Sequence, residues 1–275
     1  MRATLFMIHG MWGGPWCWDN FRSFFEARGY HCVAATLPFH DVDPRAAPDP
    51  RLGTASLLDY ADALEQQIRN LGTTPILVGH SMGGLLAQVL GSRGRAEALV
   101  LLAPASPAGI VPVRLSVIRA FWSVLTTWGF WRKPIRQTFD EAVYSALHLV
   151  PEEDRRRIYD RFGWESGRVA FEMGEWVFDA RHASRVDQAR VTYPVLIIAG
   201  TEDRMTPASV VRRVVRKYRA VATFREFAGH AHWLVSEPGW EDIAAYVDTW
   251  LGSLRPTSTA PLCAGAQRCR QRTTR

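Results

Sequence analysis

VGHSMGGLLAQ, residues 78–88, sets a serine between glycines, directly after an apolar run and directly before a helix-like one. Gly79-His80-Ser81-Met82-Gly83 matches G-x-S-x-G. In that pattern a sharp strand-to-helix turn strains the serine backbone and holds its hydroxyl clear of the sheet. Glycines are needed because bulky neighbours at 79 and 83 would strike the crossing strand and helix. The turn also opens a helix, so the Met82 N–H points above Ser81 and can donate to a developing oxyanion. The alternative is a glycine-rich connection in which Ser81 merely caps the helix.

The flanking segments set the context. TLFMI (4–8), CVAATL (32–37), PILVG (75–79), ALVLLAP (98–104) and PVLIIAG (194–200) are apolar runs of strand length, as in parallel strands buried on both faces. Helical spacing marks the segment after Pro15, 56–72, 82–93, 207–219 and 240–252, with ATFREF (222–227) as a last strand. Alternating strands and helices predict an α/β fold with a mostly parallel sheet of about six strands and helices on both faces. Residues 105–192 break the alternation, with a helical pattern rich in Trp, Phe and Arg and no clear strand. They predict an insertion over the carboxyl ends of the strands, where ligands bind. The expected organisation is therefore a core of 1–104 and 193–252, a helical insertion over 105–192, and a disordered basic tail over 253–275.

Composition narrows the classes. The chain has 275 residues, 47% hydrophobic, and a net charge of +6. Arg255, Arg268, Arg270, Arg272 and Arg275 lie in the tail with no acid, leaving the rest near +1. That argues against nucleic-acid binding by the fold itself. Cys17, Cys32, Cys263 and Cys269 match no zinc spacing, and neither a signal peptide nor a membrane span is visible. A cytoplasmic protein without metal or cofactor is expected.

A serine hydroxyl needs a base, and the base an orienting acid. Behind such an elbow the chain order is serine, acid, histidine. Asp203 in GTEDRMTP follows a strand and is the candidate acid, with the neighbouring Glu202 expected to face solvent. FAGHAHWLVSEPG offers two bases, His230 and His232. A second oxyanion donor is expected at the end of the first strand in MIHGMWGG, where Gly10 allows close approach. The Met11 N–H is the candidate and that of Trp12 the alternative, with His9 shaping the loop.

HGMWGGPWCW, GHSMGG, GTEDRMTP and HAHWLVSEP, in that order, resemble the α/β-hydrolase superfamily in its compact bacterial form with a helical cap. The resemblance covers residues 3 to about 252. It implies that His232, followed by Trp233, Glu237 and Pro238, is the base, with His230 as the alternative. It implies a serine hydrolase, since dehalogenases and epoxide hydrolases of this fold carry an aspartate at the elbow. A small to medium apolar carboxylic ester or lactone is the expected substrate, cleaved through an acyl-enzyme on Ser81. Trp12, Trp122, Leu125 and Trp176 are candidate pocket residues. Thioester or carbon–carbon bond hydrolysis, or a small-molecule receptor with little turnover, are the alternatives, and Arg168–Glu172 is expected to be a structural i,i+4 pair.

Overall fold

The computed structural model describes residues 2–111 and 114–254; the predicted tail, apart from its first two residues, lies outside them. In chain order the elements are β1 (Thr4–Ile8), α1 (Asp19–Glu26), β2 (His31–Ala34), α2 (Leu57–Asn70), β3 (Ile76–His80), α3 (Met82–Ser92) and β4 (Ala98–Leu102). An insert follows, with α4 (Leu115–Ala120), α5 (Trp122–Leu125), β5 (Pro134–Ile135), α6 (Phe139–Ala142), α7 (Glu152–Tyr159), β6 (Glu165–Ser166) and α8 (Gly167–Gly174). The chain then returns through β7 (Val195–Gly200), α9 (Ala208–Lys217), β8 (Ala222–Phe227) and α10 (Trp240–Ser253).

Six strands form one sheet in the order β2-β1-β3-β4-β7-β8, with every pairing parallel. The side-chain period of two divides each central strand between two cores. Val78, Val100, Leu102, Leu196 and Ile198 face α1 and α10 through Phe21, Phe25, Ile243 and Val247. Leu77, Leu99, Leu101, Val195 and Ile197 face α2, α3 and α9 through Leu64, Leu86, Val210 and Val214. Such two-sided burial is why these strands read as unbroken apolar runs.

The insert is mainly helical, but it is not free of strand: β5 and β6 pair antiparallel, two residues each. Buried carboxylates tie it to the core. Glu165 accepts hydrogen bonds from the Tyr60 hydroxyl at 2.8 Å and from its neighbour Ser166 N at 2.6 Å, and lies 3.3 Å from His40 Nε2. Glu172 accepts from Ser56 Oγ at 2.8 Å and from Leu57 N at 2.7 Å, so it caps the start of α2 from the insert. Arg168 bonds Glu172 at 2.8 Å, as the sequence spacing predicts, and Asp179 at 3.0 Å.

Burial opposes charging of both His40 and Glu165, yet each partner outweighs it. The Glu165 carboxylate raises the His40 pKa above its ordinary 6.5, and the His40 cation lowers that of Glu165 below its ordinary 4.5. His40's contribution to stability is complete below 6.5 and is lost as pH rises through its raised pKa. Glu165's is complete above 4.5 and is lost as pH falls through its depressed one. Removing one partner of a buried pair leaves the other uncompensated, at a cost of about 3 kcal/mol. Urea unfolding of Glu165→Gln at pH 5.5 to 6 is therefore expected to show a loss of that order. The gap to the wild type should shrink as pH rises past His40's ordinary value; a constant gap would contradict the pair.

Candidate active site

Ser81 joins β3 to α3 with φ 54° and ψ −119°, a left-handed conformation that costs a non-glycine residue about 1–3 kcal/mol. Its backbone is fully engaged: the N–H donates to Leu102 O at 3.0 Å, and the carbonyl accepts from Gly84 N at 2.9 Å and Ala105 N at 2.9 Å. Its hydroxyl makes no capping bond to the helix, so the helix-cap alternative fails. The corner closes only on glycine. A Cβ on Gly79 would strike the Gly83 carbonyl, and one on Gly83 would strike the carbonyls of Ile8 and His9.

Asp203 lies just after β7 and is buried. Its Oδ1 accepts from Met205 N and Thr206 N, both at 2.8 Å, and its Oδ2 accepts from Thr206 Oγ1 at 2.8 Å. The same Oδ2 is 2.8 Å from His232 Nδ1. Burial disfavours the Asp203 anion, but its interaction with His232 and these donors outweigh it and lower its pKa below 3.8. An anion held in this way fixes which nitrogen of His232 is occupied and leaves Nε2 available.

His230 takes a different partner. Its Nδ1 is 3.0 Å from Glu237 Oε1, which also accepts from Ala231 N at 2.8 Å. Burial raises the Glu237 pKa to about 8 and lowers that of His230. The pair braces the loop that carries His232. Glu202 is exposed, as expected.

His80, inside the elbow motif, has a role that its sequence position conceals. Its Nε2 lies 2.8 Å from the His232 carbonyl and its ring 4.9 Å from the His232 ring. Burial lowers its pKa to about 3, so it is a neutral donor and ties the elbow to the His232 loop. His9 is likewise pushed down to about 3 by burial, and bonds the Gly10 carbonyl through Nδ1 at 2.9 Å. Gly10 lies against the elbow, because a Cβ there would stand 2.9 Å from Ser81 Cβ. The next residue, Met11, therefore sits beside Ser81, while Met82 occupies the first position of α3, where a backbone N–H has no helical acceptor.

The insert reaches both flanks of this centre. Phe121 packs on Trp12 with ring centroids 5.4 Å apart, and Phe162 packs on Trp233 at 5.5 Å. Among the four expected pocket residues, Trp12 is buried beside the site and Trp176 is half-buried in a 3-10 turn. Trp122 and Leu125 are corrected: both turn to solvent, because the buried face of α5 is Val124, with Phe121 just before it. Phe121, Phe162, His80 and Thr206 are the site neighbours that the sequence did not single out. Ser81 is only 7% exposed. Two open clefts, of about 770 and 610 Å³, lie elsewhere, and neither is lined by Ser81, Asp203 or His232. Among the described residues no three His, Cys, Asp or Glu side chains group to hold a metal, and no helix is long and apolar enough to cross a membrane.

The model of the alpha/beta hydrolase family matches residues 5–245. The chain belongs to that family. Among its relatives, Methylesterase 8 of Arabidopsis thaliana is 31% identical over 87 residues, which is 31% of this chain and 30% of that protein. The chain thus matches only about a third of the length of the curated methylesterases. The magnesium-chelatase 30 kDa subunit of Rhodobacter capsulatus is 25% identical over 268 residues, 90% of this chain and 86% of that one. The fold is also that of tomato methylketone synthase I, solved with 2-tridecanone (TM-score 0.69, 15% identity, 93% of this chain and 100% of that one).

The strained elbow carries a stability signature. Ser81→Gly relieves the left-handed conformation and is expected to exceed Ser81→Ala in unfolding free energy by about 1 kcal/mol. Gly83→Ala pushes a methyl into two backbone carbonyls and is expected to cost about 3 kcal/mol or more. Gly252→Ala, in open space on α10, serves as a control and should gain up to about 1 kcal/mol. Denaturant titrations read all three; a neutral Gly83→Ala would contradict the elbow geometry.

Proposed function

We propose that the protein is a serine hydrolase that cleaves a small to medium apolar carboxylic ester or lactone. The observation that carries this reading is the 2.8 Å His232–Asp203 bond beside a strained serine whose hydroxyl is not spent on capping its helix. The names of the plant relatives, methylesterases, support a carboxylic ester as the bond cleaved. The aromatic contacts from the insert support an apolar substrate.

In the proposed reaction Ser81 Oγ attacks the ester carbonyl carbon while its proton passes to His232 Nε2. Asp203 holds His232 by Nδ1–H and stabilises the imidazolium. The carbonyl oxygen becomes an oxyanion facing the Met11 and Met82 N–H groups, which are worth most where charge develops. Collapse breaks the bond to the alcohol, which leaves with the proton from His232, and the acyl group stays on Ser81. Water then attacks the acyl carbon, giving its proton to His232, and the second collapse returns that proton to Ser81 and frees the acid. Residues 105–192 act as a cap over this centre. Thr206 and His80 are positioning residues: one fixes Asp203 and the other the His232 backbone.

One observation favours a second reading. The relative that matches 90% of this chain is named for a magnesium-chelatase subunit and not for an esterase. A ligand-holding role with little turnover fits that name.

Hydrolysis of a panel of methyl and aryl esters by the purified chain separates the readings. Ser81→Ala and His232→Ala are each expected to lower kcat by about a thousandfold or more. His230→Ala should act through loop stability and retain most of kcat. Equal losses from both histidine variants would contradict the choice of base, and a wild type without turnover on any ester would favour the ligand-holding role.

A further inference from the structure

The insert carries an apolar surface that no contact among the described residues covers. Trp122, Leu125 and Trp128 are 60%, 45% and 85% exposed, and Phe178 is 76% exposed. Scattered exposed hydrophobics are ordinary, but a group on one lobe marks an interaction site. These residues share a lobe because their elements share a core: Val124 of α5, then Phe130 and Ile135, with Trp131 and Phe171 packed against them. Trp128 lies edge-on to Trp131 at 5.4 Å, and Trp131 lies 6.3 Å from Phe171 of α8, which leads directly into Phe178.

The segment that carries Trp122, Leu125 and Trp128 has charge of one sign, although Glu141 of α6 bonds Ser123 between the first two and the exposed Glu175 stands three residues before Phe178. Residues 114–133 contain Arg114, Arg119, Arg132 and Lys133 and no aspartate or glutamate. All four cations are exposed. Among the described residues their contacts are not acidic: Arg114 donates to the Ser209 hydroxyl, Arg119 lies 3.9 Å from the centre of the Tyr144 ring, and Lys133 donates to the Trp128 carbonyl at 2.9 Å. Lys133 Nζ therefore stands at the foot of the most exposed indole.

We propose that this lobe docks on an anionic lipid surface. Tryptophan and phenylalanine settle at the level of the headgroups, and uncompensated cations beside them meet lipid phosphates. The underside of the same lobe touches Met11, which follows the Gly10 that presses on Ser81, and Phe121, which packs on Trp12. Docking would thus turn the approach to Ser81 toward the apolar phase. This goes beyond the ester-hydrolase reading, and its deciding readout is partitioning, not turnover.

The test is co-sedimentation of the full chain with vesicles of phosphatidylcholine alone or mixed with phosphatidylglycerol. The wild type is expected to partition onto the mixed vesicles, and less as salt rises. Trp128→Ser/Phe178→Ser should lose about tenfold or more in partitioning, with unchanged thermal unfolding and unchanged hydrolysis of a water-soluble ester. Arg132→Glu/Lys133→Glu is a second variant that leaves the apolar residues intact, and it too should lose binding to the mixed vesicles. Three outcomes would overturn the proposal. The wild type could fail to bind mixed vesicles. Both variants could bind them as it does, assigning the binding to another region such as the arginines of 255–275. The wild type could elute as a dimer that Trp128→Ser/Phe178→Ser makes monomeric, assigning the lobe to a second copy of the chain.

Discussion

Everything at the centre depends on a corner where three stretches of backbone meet with no side chain between them. β3 turns into α3 at Ser81, the carbonyls of Ile8 and His9 at the end of β1 press on Gly83, and Gly10 presses on Ser81. Ser81 takes a backbone conformation that glycine would adopt more cheaply. That strain is sustained by hydrogen bonds from the neighbouring strand, Ser81 N to Leu102 O and Ala105 N to Ser81 O. The sheet order follows the same need. β3 lies between β1 and β4, with β7 on the far side of β4, so the loop after β1 opens beside the elbow and the loop after β7 opens one strand further along the same edge.

A second layer of contacts makes the centre rigid. Thr206 bonds Asp203 through its N–H and its hydroxyl, and the hydroxyl oxygen lies 3.0 Å from the Ala103 carbonyl just past β4, which sets the acid against the strand beside the elbow. His80 bonds the His232 carbonyl, and Glu237 bonds both His230 and Ala231. On the other side, Glu165 and Glu172 carry the insert onto Tyr60, His40 and the start of α2. Buried carboxylates of this kind are costly unless every oxygen is used, and these two meet hydroxyl, amide and cationic partners.

The sequence made the core legible because two-sided burial writes uninterrupted apolar runs, and the elbow legible because its glycines have a steric cause. Contacts between distant residues left no such trace. His230 and His232 look alike in FAGHAHW; what distinguishes them is a carboxylate seven residues ahead of one and another 29 residues behind the other. His40 pairs with a glutamate 125 residues away, and Ser56 with one 116 away. β5 and β6 have two residues each, too few to show a period. α5 has four, which is why Trp122 and Leu125 could be taken for its inner face when Phe121 and Val124 are the residues packed inward.

The central claim is that Ser81 is an activated nucleophile. It is tested most directly by intact mass after exposure to a fluorophosphonate, on the wild type and on Ser81→Ala. One adduct on the wild type and none on the variant is the predicted result. An unmodified wild type, or an adduct that persists in Ser81→Ala, would contradict the account.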